Sequence, residues 1–109
     1  MADTLEVPSA LLSASVPVPR MVDVVYLGGA GEESYTVPAD TRWVILSCSA
    51  GVYVRVGAAA SIPVADVTDG TGSLYINSTA QFEVEEGSVL HFIRSGAAAT
   101  IVTIGRYSA

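Results

Sequence analysis

From residue 21 onward, glycine or proline interrupts the chain about every ten residues. Short β-rich runs between such regular turn signals argue for an all-β sandwich or barrel. The residues between the breaks agree. Valine (16), isoleucine (6) and threonine (8) make up 30 of the 109 positions. These side chains are stiff at χ1 and suit a pleated surface. Beyond residue 20 no stretch shows a convincing 3.6-residue apolar period. Residues 6–15 are the sole helical candidate, and Pro8 limits them to a turn or two.

Eight strands are expected, over residues 21–27, 33–37, 42–49, 52–56, 73–76, 80–85, 89–94 and 98–107. The clearest alternation is at 52–56, where Val52, Val54 and Val56 face one way and Tyr53 and Arg55 the other. In 42–49, Trp43, Ile45 and Ser47 oppose Val44, Leu46 and Cys48, so both faces of that strand are expected to be covered. In 80–85, Phe82 and Val84 are expected inside, with Gln81, Glu83 and Glu85 in water. The short breaks at 28–31, 49–51 and 95–97 read as hairpin turns, giving hairpins over 42–56 and 89–107. Residues 57–72 form a long connection, a length that in a compact domain is often functional. Strands this short cannot stand as one open sheet. The fold class is therefore all-β: a small antiparallel β-sandwich, jelly-roll-like, of about eight strands.

Residues 1–20 differ from the rest. They are rich in Ser, Ala and Pro and end in Val16-Pro17-Val18-Pro19, which favours an extended backbone without internal hydrogen bonds. The chain divides into an extended N-terminal arm, 1–20, and a β-sandwich domain, 21–109. Such a stretch reads either as a loose terminus or as an arm that lies along a neighbouring subunit; Val7, Leu11, Leu12, Val16, Pro17, Val18 and Pro19 make it more apolar than a solvated tail needs, which speaks for the second.

Eleven acids against five arginines, with no lysine, give a net charge of −6. Nucleic-acid binding is not expected, because phosphate contacts need clustered cations. No apolar run approaches the ~18 residues of a membrane span, so no membrane partner is expected. The start, Met1-Ala2-Asp3-Thr4-Leu5-Glu6, is acidic and does not resemble a secretory leader. Asn77-Ser78-Thr79 fits the glycosylation pattern, but without export it reads as a turn. Cys48 is the only cysteine and reads as a small buried hydrophobe.

No pattern calls for catalysis, a metal or a cofactor. His91 is the only histidine and sits in a strand pattern; one Cys and one His do not make a conventional zinc site. No G-x-S-x-G elbow accompanies the serines. The run Asp66-Val67-Thr68-Asp69-Gly70 suggests a calcium loop, but position 77, where a closing glutamate is required, holds Asn77. Gly28-Gly29-Ala30-Gly31 lacks the G-K-[ST] of a phosphate loop. Glu83, Glu85 and Glu86 read as a charged edge that discourages sheet-to-sheet aggregation. Trp43 is expected in the core, and the tyrosines half-buried with wet hydroxyls. Two or three of them on one platform would instead indicate a carbohydrate-binding module.

Sixteen charged residues cannot cover the surface of a domain this size, so much of it must be apolar or small. Such surface on a soluble protein marks interfaces. Ala58, Ala59 and Ala60, like residues 97–99, would let another backbone approach closely. A homo-oligomer with the arm contributing is the expectation.

Several stretches also carry a resemblance. These are Asp40-Thr41-Arg42-Trp43-Val44, then Val52-Tyr53-Val54-Arg55-Val56-Gly57 with its alanine-rich sequel, then Gln81-Phe82 and Gly87 before Leu90-His91-Phe92-Ile93, and finally Ala99-Thr100-Ile101-Val102-Thr103. Together they resemble small β proteins encoded in the structural gene modules of tailed bacteriophages and prophages. The likeness spans roughly residues 36–107. It departs at Ser95-Gly96-Ala97, where the glycine stands further from the threonine. The resemblance implies a virion structural protein, not an enzyme: a head decoration (cement) protein, often a trimer, whose partner is the major capsid protein or another virion protein. A neck, tail or fibre-base component is the alternative within the same class.

Overall fold

The computed structural model describes residues 19–108. Eight strands and no helix form among them: β1 (Met21–Leu27), β2 (Glu33–Thr36), β3 (Trp43–Cys48), β4 (Val52–Val56), β5 (Leu74–Ile76), β6 (Thr79–Glu83), β7 (Val89–Arg94) and β8 (Thr100–Tyr107). They build two antiparallel four-stranded sheets, in the orders β1-β8-β3-β6 and β2-β7-β4-β5. The pairs β1·β8, β2·β7, β3·β6 and β4·β5 nest inside one another. This is what results when one long hairpin, bent at the β4–β5 loop, is rolled into two layers. The sandwich is a jelly roll.

The hairpins expected over 42–56 and 89–107 do not form. β3 pairs with β6 and β8, whereas β4 pairs with β5 and β7. β7 and β8 likewise lie in opposite sheets. The breaks at 28–31, 49–51 and 95–97 are corners between sheets, not turns within one. Strands on either side of a corner point their apolar residues at the same interior. Packing across the core satisfies that alternation as well as pairing side by side does. Two corners are joined to each other: the amide and hydroxyl of Ser95 both donate to the Gly51 carbonyl, each at 3.0 Å. A Cβ at Gly51 would collide with the Tyr75 and Ser95 hydroxyls.

The core lies between the sheets. Leu27, Val44, Leu46, Val52, Phe92, Val102 and Ile104 are fully buried there. Cys48 is half-buried against this core, and burial pushes its thiol pKa up. Trp43 is buried, but outside the inter-sheet core. It packs with Tyr107 and Ile45 on the outer face of the β1-β8-β3-β6 sheet, which places it differently from the expected core position. At one end of the interior, Asp23 accepts a hydrogen bond from the Tyr35 hydroxyl and lies 3.0 Å from Arg106 Nε. That Nε–H is not aimed at the carboxylate, so the contact is an ion pair rather than an aligned hydrogen bond.

Candidate functional site

Three exterior features stand out: the outer face of each sheet and the long β4–β5 loop. Register settles the first. Val22 lies opposite Gly105, Val24 opposite Thr103 and Tyr26 opposite Ile101, and directly paired residues share a face. Gly105, Thr103 and Tyr107 in turn lie opposite Ile45, Ser47 and Trp43 of β3. The outer face is therefore mostly apolar across three strands, with Thr103 and Ser47 as its polar members. Val22, Val24, Tyr26 and Ile101 are exposed by 49, 61, 61 and 43%. They form a strip on β1 and β8, and β1 is an edge strand. Pro19 sits over Gly105 in the middle of this face: a Cβ on that glycine would come within 2.5 Å of the proline Cγ. Further across, Trp43 Nε1 and Gln81 Oε1 are buried and find no hydrogen-bond partner among the described residues.

The opposite exterior is more polar. Tyr53 and Tyr75 lie side by side on β4 and β5, with ring centroids 5.1 Å apart and planes tilted by 49°. Arg55 pairs in register with His91. His91 Nδ1 lies 3.0 Å from Glu32 Oε1, while the other Glu32 oxygen accepts the Ala60 amide. One carboxylate thus ties the start of the long loop to β7.

Beyond that anchor the loop projects. Every residue from Ser61 to Gly72 is exposed, and Val64 is 98% accessible. Its far end is shaped by an Asx turn: the Thr71 amide and hydroxyl donate to Asp69 Oδ1 at 3.1 and 2.6 Å, with Gly70 at φ +86° between them. These bonds hold the Asp69 pKa below its ordinary value. Asp69 therefore serves the turn.

A wide depression at one end of the sandwich is lined by Asp40, Arg42, Glu83, Glu85 and Glu86. Two of its carboxylates have partners within the chain. Glu83 pairs with Arg42 at 2.8 Å, and Glu86 accepts the Asp40 amide at 3.1 Å. β6 is an edge strand, so Glu83 stands on a sheet border, where a charge opposes edge-to-edge pairing. A smaller apolar cavity, about 140 Å³, opens between the sheets beside Leu46, Val54, Leu74 and Phe82.

Of the arm residues singled out from the sequence, Val7, Leu11, Leu12, Val16, Pro17 and Val18 lie outside the described residues, and Pro19 lies on the apolar face. In the small-residue run, Ala58 is half-buried, Ala59 exposed and Ala60 buried, so the three do not present one surface. The sequence signal for the strip on β1 is the alternation of Val22, Val24 and Tyr26. The Glu32–His91–Ala60 contacts carry no sequence signal, since Glu32 and His91 are 59 positions apart. Tyr35 also departs from expectation: its hydroxyl is bound to Asp23 instead of water. No protein family, curated protein or solved structure matches this chain.

Proposed function

We propose that this chain is a virion structural protein of a tailed bacteriophage, a head decoration protein that binds the capsid shell and holds neighbouring capsomers together. The observation that carries this reading is an eight-stranded jelly roll whose outer sheet face is mostly apolar across β1, β8 and β3. Jelly rolls recur in viral shells, an analogy at the level of fold. The apolar exterior adds a physical reason for assembly. Binding would be non-covalent, with roughly 25 cal/mol per Å² of apolar area buried, reinforced by many copies acting on one shell. The partners are the major capsid protein and further copies of the chain, with a trimer favoured, and the location is the virion.

Mass spectrometry of purified particles tests this. A copy number comparable to that of the major capsid protein is expected. Absence from particles would reject the reading, and a few copies per particle would move it to the neck, tail or fibre base. Removing residues 1–20 should lower occupancy on the shell while the strands stay folded.

A carbohydrate-binding module is the second reading, favoured by the Tyr53–Tyr75 pair on the exterior of β4 and β5. Glycan-array binding that disappears in Tyr75→Ala would promote it over the first.

A further inference from the structure

We infer that the open end of the sandwich, where the apolar cavity beside Leu74 meets the acidic depression, is a docking site for a basic segment of another protein: an apolar side chain enters the cavity while a neighbouring lysine or arginine lies over the carboxylates. The inference goes beyond the proposed function, since it concerns a different part of the surface and does not depend on a location in a virion.

The site is a stretch of core that the fold leaves uncovered. Val52, Val54 and Val56 point between the sheets, and Leu74, in register with Val54, shares their face. Val52 and Val54 are buried, as that direction requires. Val56 and Leu74 are instead 59 and 55% exposed. The cause is the shortness of β5. It begins at Leu74, so no β5 residue stands beside Val56, and the chain there still belongs to the long loop. Across the gap, Phe82 and Val84 are only partly buried. What remains between the sheets is the cavity of about 140 Å³, room for one aliphatic or phenyl group. Interior-facing apolar side chains left half in water gain from an apolar group that covers them.

The surroundings select the charge of the occupant. Val56, Glu83, Val84 and Leu90 line both the cavity and the depression, so the two are continuous. Four carboxylates, of Asp40, Glu83, Glu85 and Glu86, and two guanidiniums, of Arg42 and Arg55, stand around the combined opening. Arg42 is taken by Glu83, and the charge of Arg55 acts on Asp69 of the long loop. Among the described residues no cation pairs with Asp40, Glu85 or Glu86. The opening is therefore net negative, and a cation beside the apolar anchor complements it. Size favours a chain segment over a small amine, because the depression, about 1420 Å³, is far larger than the cavity that takes the anchor. Charge speaks against this chain as its own ligand. It has no lysine and a net charge of −6, and residues 1–18 hold Asp3 and Glu6 but neither lysine nor arginine.

The test is a methyl NMR titration of the full chain with a capped lysine-leucine-lysine peptide. Saturable shifts are expected at the Val56, Leu74, Val84 and Leu90 methyls. The same peptide with serine in place of leucine should bind on the order of tenfold more weakly. With glutamates in place of the lysines it should also bind several-fold more weakly, and salt at about 1 M should erase that second difference alone. Glu85→Gln should narrow the preference for lysine over glutamate. Leu74→Ser should bring the leucine peptide down to the level of the serine peptide at unchanged circular dichroism. No shift of these methyls at peptide concentrations on the order of 10 mM would overturn the proposal. So would equal binding of the three peptides, or Overhauser contacts in the free protein between these methyls and residues 1–18, which would show the chain filling its own cavity.

Discussion

Asp23 points into the sandwich from an edge strand, and its partners come from far along the chain. Tyr35 donates to it from β2, and Arg106 lies beside it on β8. Burial, the hydrogen bond to Asp23 and the nearby negative charge all push the Tyr35 pKa well above the ordinary phenol range. The folded state thus holds this proton more tightly than the unfolded chain does. Its contribution to stability is complete below about pH 10 and fades as pH climbs beyond it. Burial raises Cys48 and Tyr107 too, so the fall should begin near the thiol range. Tyr35→Phe is expected to cost about 1–2 kcal/mol at neutral pH, because a hydrogen bond to a charged group is lost. It should also flatten the alkaline fall, leaving the part due to Cys48 and Tyr107. Urea titrations from pH 7 to 11 measure both effects, and an unaltered alkaline slope would refute the assignment. None of this was legible beforehand: the sequence marks position 23 as part of a strand but does not show what faces it.

At the scale of elements, alternation located the strands and failed on their partners. Val52, Val54 and Val56 share one face as their alternation implies, yet β4 pairs with β5 and β7, not with β3. The paired neighbour of β4 in sequence lies across the long 57–73 connection, where no short turn signalled it. The same gap explains why the role of Glu32 was not seen. It sits in the β1–β2 corner and fastens the Ala60 amide of that connection while contacting His91. Glu32→Gln keeps the shape of the side chain but weakens both contacts. Amide exchange at Ala60 and Ser61 should speed up several-fold, with the β4 and β7 amides unaffected. Equal acceleration across β4 and β7 would mean that Glu32 supports the sheet instead of the loop.

For the whole molecule, the class of fold was legible because short β-branched runs between regular breaks leave few other solutions. The jelly-roll-like closure follows from the same shortness of the strands, but the pairings that make it do not, since they join positions as distant as Met21 and Arg106. Phe92 stands where the layers meet and is fully buried. Phe92→Ala should cost about 3–5 kcal/mol, and a chemical denaturation midpoint that barely moves would contradict so central a position.

The position of β8 governs how the protein can be made. It lies between β1 and β3, and among the described residues β8 is the one strand that β1 pairs with. On the ribosome, β1 must therefore wait for that partner until residues 100–107 have left the exit tunnel. Until then β1, with its greasy exterior, stays unpaired in the nascent chain, and a translation product halted before Thr100 could join β3 to β6 but would leave β1 detached from them.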